Sequence, residues 1–343
     1  MRGQGSGMAG QPPNRPGMDR RRFLLTSLAG ALAAPVAGEA QLALGRVYRI
    51  GILSPDSPPP GLFEAFQEGL RELGYVDGKN VAMESRNAGG KNERLAALAN
   101  ELVQLEVDVI LTVNTPAARA AKNATATIPI VVTRVADPVK SGLATSLSHP
   151  GGNLTGLSFS AVDVAPKQLQ LLKEVLPGIS RVGFLWYADN PAATTGVEGM
   201  ESPAAQMSLQ SLRLPVRDSS DFQGALRAAA RARVQALVVF EDVWLTKHRL
   251  EILNGAMRHS LPVISLYKDF TEAGGLFAYG ANTPALYRRA AYYVDRILKG
   301  AKPKDLPIEQ PTKFDFIINL KTAKVLGLTI PPSLLARADQ VIE

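Results

Sequence analysis

From Val47 onward the chain alternates short β-branched, apolar runs with longer amphipathic stretches, a pattern that builds βαβ units around parallel sheets. The first run, Tyr48 to Leu53, ends at Ser54-Pro55. It passes Pro58, Pro59 and Pro60 into a helix with Leu62, Phe63, Phe66, Leu70 and Leu73 on one face, stopped by Gly74. Val81 to Arg86 predicts a strand, Glu93 to Leu105 a helix, Val107 to Val113 a buried central strand, and Asn114-Thr115-Pro116 the start of another helix. Ile128 to Thr133 reads as a strand, with a helix around Ser141 to Ser148 before the turn Pro150 to Asn153. A second round follows: helix Lys167 to Val175, strand Arg181 to Tyr187, a loop at Asp189-Asn190-Pro191, helix Asp221 to Ala230 and strand Ala236 to Phe240. Helix Lys247 to Ser260, strand Pro262 to Leu266, and the long helix Pro284 to Lys299, ended by Gly300, complete it. Two rounds in comparable order imply two similar lobes and exclude solenoids and propellers.

The first 40 residues read differently. Asp19-Arg20-Arg21-Arg22-Phe23-Leu24-Leu25 is a twin-arginine pattern, and the apolar run from Phe23 to Ala37 is shorter than the roughly 20 residues of a membrane span. Residues 1–40 are therefore expected to be a leader and signal peptide, cleaved after Ala40, with Met18 an alternative start to Met1. The chain contains no Cys, which removes a lipid anchor, disulfides and thiol chemistry together. Setting aside the leader's five arginines and two acids lowers the net charge from +7 to +4, too mild and dispersed for a nucleic-acid surface.

In open α/β sheets, ligands sit beyond the carboxyl ends of the strands, where loops feed helix amino termini. Those loops carry Ser54, Asn114, Thr115, Ala136 and Asp137 in the first round; the second supplies Trp186, Tyr187, Asn190, Glu241, Asp242 and Tyr267. Ser54 and Thr115 could donate to a carboxylate, although Ser and Thr there are also ordinary N-caps. Asp137, before Pro138, reads as a cap that could take an ammonium; Trp186 and Tyr267 could stack on a flat ligand or pack inside a core. His149, His248 and His259 are scattered without metal-ligand spacing, and no phosphate loop, dinucleotide fingerprint or Gly-x-Ser-x-Gly elbow occurs. No cofactor, metal or catalytic residue is expected.

Several segments, taken together, resemble a known family. Ile50-Gly-Ile-Leu-Ser-Pro, Phe66-x-x-Gly-Leu-Arg-Glu-Leu-Gly-Tyr75, Thr115-Pro-Ala, Ile128-Pro-Ile-Val, Asp137-Pro-Val and His149-Pro-Gly-Gly-Asn-Leu-Thr-Gly-Leu157 are similar to the ABC-transporter substrate-binding family related to the tryptophan-binding receptor. So are Glu309-Gln-Pro-Thr-Lys-Phe314 and Asn319-Leu-Lys-Thr-Ala-Lys-x-Leu-Gly-Leu328, and the similarity spans Tyr48 to Glu343. The resemblance implies a type I periplasmic-binding-protein fold, two Rossmann-like lobes with parallel central sheets. Lobe one would comprise residues 47–157 and 282–308, lobe two residues 158–281 and 309–343, with crossovers near Gly156 to Ser160, Tyr279 to Thr283 and Pro307 to Lys313.

It also implies a periplasmic receptor that captures a small solute by hinge closure and presents it to an ABC-type permease; a monomer is the default expectation. An amino-acid-like or aromatic carboxylate would be held by Ser54, Thr115 and helix N–H groups, with Asp137 or Glu241 opposing an amine and Trp186 or Tyr267 against a ring. Asn114, Ser158, Asn190 and Asn282 complete the candidate site. Asn114 before Thr115, and Leu185-Trp-Tyr-Ala-Asp-Asn-Pro191, depart from the family pattern, so the ligand need not be tryptophan. The competing readings are a ligand-sensing regulator on the same fold, which needs a DNA-binding head, and a periplasmic enzyme using Asp137 with Glu241.

Overall fold

A computed structural model describes residues 46–57, 61–159, 161–240 and 242–343. The twin-arginine stretch, the cleavage site after Ala40 and the candidate Glu241 lie outside the described residues.

The first sheet is built from β1 (Tyr48–Ser54), β2 (Val81–Asn87), β3 (Val109–Val113), β4 (Ile130–Val135) and β5 (Leu154–Ser158), all parallel, in the order β2-β1-β3-β4-β5. Its helices are α1 (Leu62–Glu72), α2 (Leu95–Gln104) and α3 (Asn114–Ala124). Every residue of β3 is buried, as expected for a central strand covered on both faces. α1 turns Leu62, Ala65, Phe66 and Leu70 inward, and each of the three large apolar side chains contributes about 1.5–3 kcal/mol on burial.

The chain then crosses to a second sheet through α4 (Ala161–Val175), β6 (Arg181–Tyr187), α5 (Pro191–Gln206), β7 (Gln210–Val216), α6 (Asp221–Arg231) and β8 (Ala236–Val239). α7 (Val243–Lys247), α8 (Arg249–Met257), β9 (Val263–Ser265), α9 (Lys268–Glu272) and β10 (Phe277–Ala281) follow. Here β7-β6-β8-β9-β10 repeats the order of the first sheet strand for strand. α10 (Thr283–Leu298) returns to the first sheet and packs on α1, β4 and β5, tied there by the Tyr75 hydroxyl donating to Asp295 Oδ1 at 3.0 Å. β11 (Phe314–Asn319), antiparallel to β10, α11 (Leu320–Val325), α12 (Pro332–Leu335) and β12 (Gln340–Ile342) extend the second sheet.

The chain thus passes three times between two lobes, and the passages lie side by side. The Ser158 amide donates to Glu309 O at 2.9 Å, the Glu309 amide to Gly156 O at 3.0 Å, and the Asn282 amide to Lys313 O at 3.2 Å.

Some expectations change. Residues 141–148 form consecutive turns and not a helix: the amides of Leu143 and Ala144 both donate to Pro138 O, and Gly142 takes φ 70°. The helix read from Lys247 to Ser260 runs only from Arg249 to Met257, preceded by the separate short α7 that ends at Lys247, and β4 is shifted two residues toward Val135. Asn190 caps a helix, α5, that the Gly- and Pro-containing sequence did not announce.

Candidate functional site

Equivalent strand ends in the two lobes converge on one cleft. β3 and β4 supply Asn114, Thr115, Arg134 and Ala136 from lobe one; the ends of β6, β8 and β9 supply Asn190, Asp242 and Tyr267 from lobe two. In each sheet these loops flank or adjoin the point where the strand order reverses, the expected place for a ligand.

Arg134 is the least expected member. It is 3% exposed, near the end of a fully buried, mostly apolar strand, and adopts φ 57°. Left-handed backbone costs a non-glycine residue about 1–2 kcal/mol and tends to persist where function holds it. Asn114, which follows the end of the adjoining strand β3, is also left-handed at φ 70°. The Arg134 guanidinium lies 4.2 Å above the centroid of the Tyr267 ring, which joins the two lobes through a cation–π contact. The Tyr267 hydroxyl is buried and has no hydrogen-bond partner among the described residues.

Opposite stands Asp242. Its carboxylate accepts from the Trp244 amide at 2.7 Å, capping α7, and from Asn190 Nδ2 at 2.8 Å. Asn190 in turn accepts from the Ala192 amide at 3.1 Å, capping α5. One hydrogen-bonded chain therefore fixes both helix starts and aims a carboxylate at the cleft. Burial pushes the Asp242 carboxyl above its ordinary range, against the bonds from Asn190 and the Trp244 and Leu245 amides and the Arg134 charge. Asp269 is raised by burial as well, and there the Arg134 charge is the largest influence opposing it.

The cleft has two connected chambers. The inner one, of about 30 Å³, is lined by Arg134, Asp242, Asn114 and Tyr267 and has room for one functional group, the scale of one or two ordered waters. The outer one, of about 140 Å³, shares Thr115, Ala136, Ala192 and Gly196 with it and opens past Asp137 and Lys140. Beyond the chambers the lobes touch again. Lys247 pairs with the buried Asp56 at 3.0 Å, Asn92 Nδ2 reaches Asp189 O at 3.5 Å, and the Gly90 backbone lies against the Trp244 indole. Trp244 stacks on Tyr187 with ring centroids 4.7 Å apart.

Of the candidates read from sequence, Asn114, Thr115, Asn190 and Tyr267 line the inner chamber, and Thr115 and Asp137 the outer. Asp137 also accepts from the amides of Val139 and Lys140 at 3.1 and 2.9 Å. Ser54 is buried at the end of β1 and donates to Asp56 O, while Ser158 lies in the first crossover. Asn282 caps α10 and donates to Asp315, away from both chambers. Trp186 packs in the lobe-two core with its Nε1 donating to Thr194 Oγ1 at 3.1 Å. Arg134 escaped the reading altogether, although an arginine inside Ile130-Val-Val-Thr-Arg-Val135 is itself a signal, because arginine is seldom fully buried without a task.

A family profile described as ABC transporter substrate binding protein matches residues 60–342. A tyrosine-binding protein of Clostridioides difficile (strain R20291) is 27% identical over 266 residues, covering 77% of this chain and 76% of that protein. An ABC domain from Streptococcus pneumonia, solved in complex with L-Trp, matches with TM-score 0.81 and 28% identity over 86% of this chain and all of that one. A ligand-free, open substrate-binding protein with adhesive properties from Clostridium difficile matches with TM-score 0.64 and 26% identity over 87% of this chain and 99% of that one.

Proposed function

We propose, for a chain that belongs to the ABC transporter substrate binding protein family, that it is an exported receptor which captures a zwitterionic amino acid between its lobes and delivers it to an ABC-type permease. The observation that carries this reading is the pair of opposite charges buried at the cleft, Arg134 from lobe one and Asp242 from lobe two. A carboxylate offers the guanidinium a bidentate partner and an ammonium offers Asp242 its counter-charge, so an α-amino acid satisfies both lobes at once. The names of the relatives, one tyrosine-binding and one solved with L-Trp, support the ligand class.

Capture proceeds by hinge closure about the three crossovers. Residues 47–157 with 282–308 move as one body, residues 158–281 with 309–343 as the other. The better match to the L-Trp complex than to the open, ligand-free relative at similar identity supports a closed arrangement here. Export depends on the twin-arginine leader, with release after Ala40.

The test is a thermal-shift screen of the purified protein against the twenty amino acids, sugars and nucleosides. A cognate amino acid at ~100 times its dissociation constant adds about 2.7 kcal/mol of stability and a matching upward shift. Shifts with sugars or nucleosides alone would overturn the ligand class.

A pH dependence follows. With the lobes together and no ligand between them, burial raises the Asp242 carboxyl and favours a proton on it above the ordinary carboxylate range; an acid raised by folding favours the fold below its ordinary pKa, and that contribution is lost as pH rises through the folded value. A bound ammonium favours the ionised form, so binding releases a proton and affinity increases with pH across that window. Calorimetry in two buffers of different ionisation enthalpy should record net proton release that Asp242→Asn abolishes; equal heats in both buffers would contradict the assignment.

A further inference from the structure

We infer that Arg227, Arg231, Arg233 and Arg258 form a basic surface on lobe two, at the end of the sheet opposite the cleft, that docks on an anionic phospholipid bilayer. The inference rests on the exported-receptor reading only for the leaflet that is met, the outer face of the membrane holding the permease.

β6, β8 and β9 are parallel neighbours, so the turns leading into them share one edge of the second sheet, while the cleft lies at the other. Arg231 and Arg233 stand just before β8, at the end of α6, and Arg258 follows α8 just before β9. Arg227 precedes Arg231 by one turn on the same helix face. Arg258 Nη2 and the Leu226 side chain of α6 lie over the same side of Gly255, which brings the two helix ends together. All four arginines are exposed, and none is in an ion pair among the described residues, whereas Arg213, Arg217 and Arg337 of the same lobe pair with Glu201, Asp189 and Glu174. The acids of the two helices sit toward their far ends: Asp221 opens α6 about 15 Å from Arg231, and Glu251 lies beside His248.

Lobe one shows that the fold itself does not require this charge. The turn from α2 into β3 is built like the turn from α6 into β8, with Glu106 at φ 51° and Arg233 at φ 54°. Arg49 Nη1 donates to Leu105 O at 3.0 Å in one, and Arg181 Nη1 to Ala232 O at 2.9 Å in the other. The Asp108 and Gln235 side chains accept from the amides of Arg49 and Arg181, at 2.7 and 3.1 Å. Arg49 and Arg181 thus serve the turn in both lobes, satisfying carbonyls at a helix end. At the other matching positions lobe one has Gln104, Glu106 and Asp108 where lobe two has Arg231, Arg233 and Gln235. Like charges gathered on one edge repel, and an anionic surface laid against them removes that repulsion.

Guanidinium is the side chain best fitted to phosphate oxygens. Lipid headgroups diffuse sideways and collect under fixed cations, so arginines on separate turns need no shaped pocket to bind them, and each one near the surface adds several-fold to the affinity. Adsorption by this edge leaves the cleft open to solute and keeps the receptor at high local concentration beside its permease.

The test is sedimentation of the exported form, whose chain from Gln41 holds both lobes, with vesicles of equal parts phosphatidylglycerol and phosphatidylcholine or of phosphatidylcholine alone. Binding is expected with the anionic vesicles only, falling steeply between ~0.01 and ~1 M salt as the screening length shortens from about 30 to about 3 Å. Arg231→Gln with Arg233→Glu gives the lobe-two turn the residues that lobe one carries in the same places and should weaken binding about tenfold or more. Arg258→Gln, outside that turn, should weaken it about threefold or more by itself. Arg71→Gln with Lys79→Glu makes the same change of charge on exposed residues of lobe one and should cost about twofold at most. Melting curves and amino-acid titrations close to wild type will show that fold and cleft are intact in each. Equal losses in the two double variants would overturn the surface. Absence of any preference for the anionic vesicles would overturn it as well and point to an acidic protein partner. Neither result bears on the amino-acid reading, which the thermal-shift screen decides.

Discussion

Arg134→Ala should raise the dissociation constant for the cognate amino acid by roughly 30- to 1000-fold, corresponding to about 2–4 kcal/mol, while the protein remains folded. The size of the effect comes from burial. A ligand carboxylate entering the inner chamber loses its water, and without the guanidinium it faces the carboxylate of Asp242 alone among the charged side chains described there. Truncation also removes the contact over Tyr267, a link between the lobes, so closure loses support at the same stroke. Arg134→Lys keeps the charge but not the planar fork and should recover only part of the affinity. Calorimetry on the three proteins, with denaturation curves to confirm folding, decides the matter: affinity within threefold of wild type in Arg134→Ala would remove Arg134 from the site.

Gly156→Ala should cost about 4 kcal/mol or more, a large share of the 5–15 kcal/mol that holds a typical domain together. Gly156 sits in β5 at φ 132°, and a Cβ there would overlap the Val132 carbonyl oxygen and come 2.6 Å from the Val132 nitrogen. Both atoms belong to the adjoining strand, so nothing flexible can yield, and the pairing of β4 with β5 already shifts register between Val132 and Val135. Gly280 in β10 is similarly placed: a Cβ would overlap the Leu266 carbonyl oxygen. Each glycine lies where the chain leaves one lobe for the other. Gly199→Ala is the matching control, since Gly199 is exposed within α5 with nothing near its missing Cβ; that change should add roughly 0.5–1 kcal/mol. Urea denaturation of the three proteins measures all of this, and a Gly156→Ala midpoint near wild type would refute the steric argument.

Elements with strong local signals were legible in the sequence. β6 has the bounds expected from its apolar run, and α10 begins within one residue of the expected Pro284 because Asn282-Thr-Pro supplies both a cap and an early proline. Residues 141–148 were not legible, because Pro138 O gathers amides that a helix would direct along its own axis. The cleft was legible as loops: topology alone pointed to Asn114, Thr115, Asn190 and Tyr267. What topology does not encode is which way a side chain leaves its strand. Trp186 and Tyr187 are adjacent at the end of β6, and alternation sends them to opposite faces of the sheet, the first into one half of the lobe-two core and the second, also buried, onto Trp244. Arg134 was hidden for a related reason, since its inward direction depends on a left-handed backbone that no pattern of hydrophobicity reveals.

The contact of Trp244 with the backbone of Gly90 makes the chain its own optical gauge. Of its two tryptophans, Trp186 is sealed in the core, so its emission should be insensitive to the lobes. Trp244 is covered on one side by Tyr187 from its own lobe and on another by Gly90 from the opposite one. Any motion that parts the lobes strips off the second cover, wets the indole and should shift its fluorescence to the red. If the lobes move as proposed, their opening and closing in the native, unlabelled protein can be followed in stopped flow, with Trp244→Phe as the dark reference.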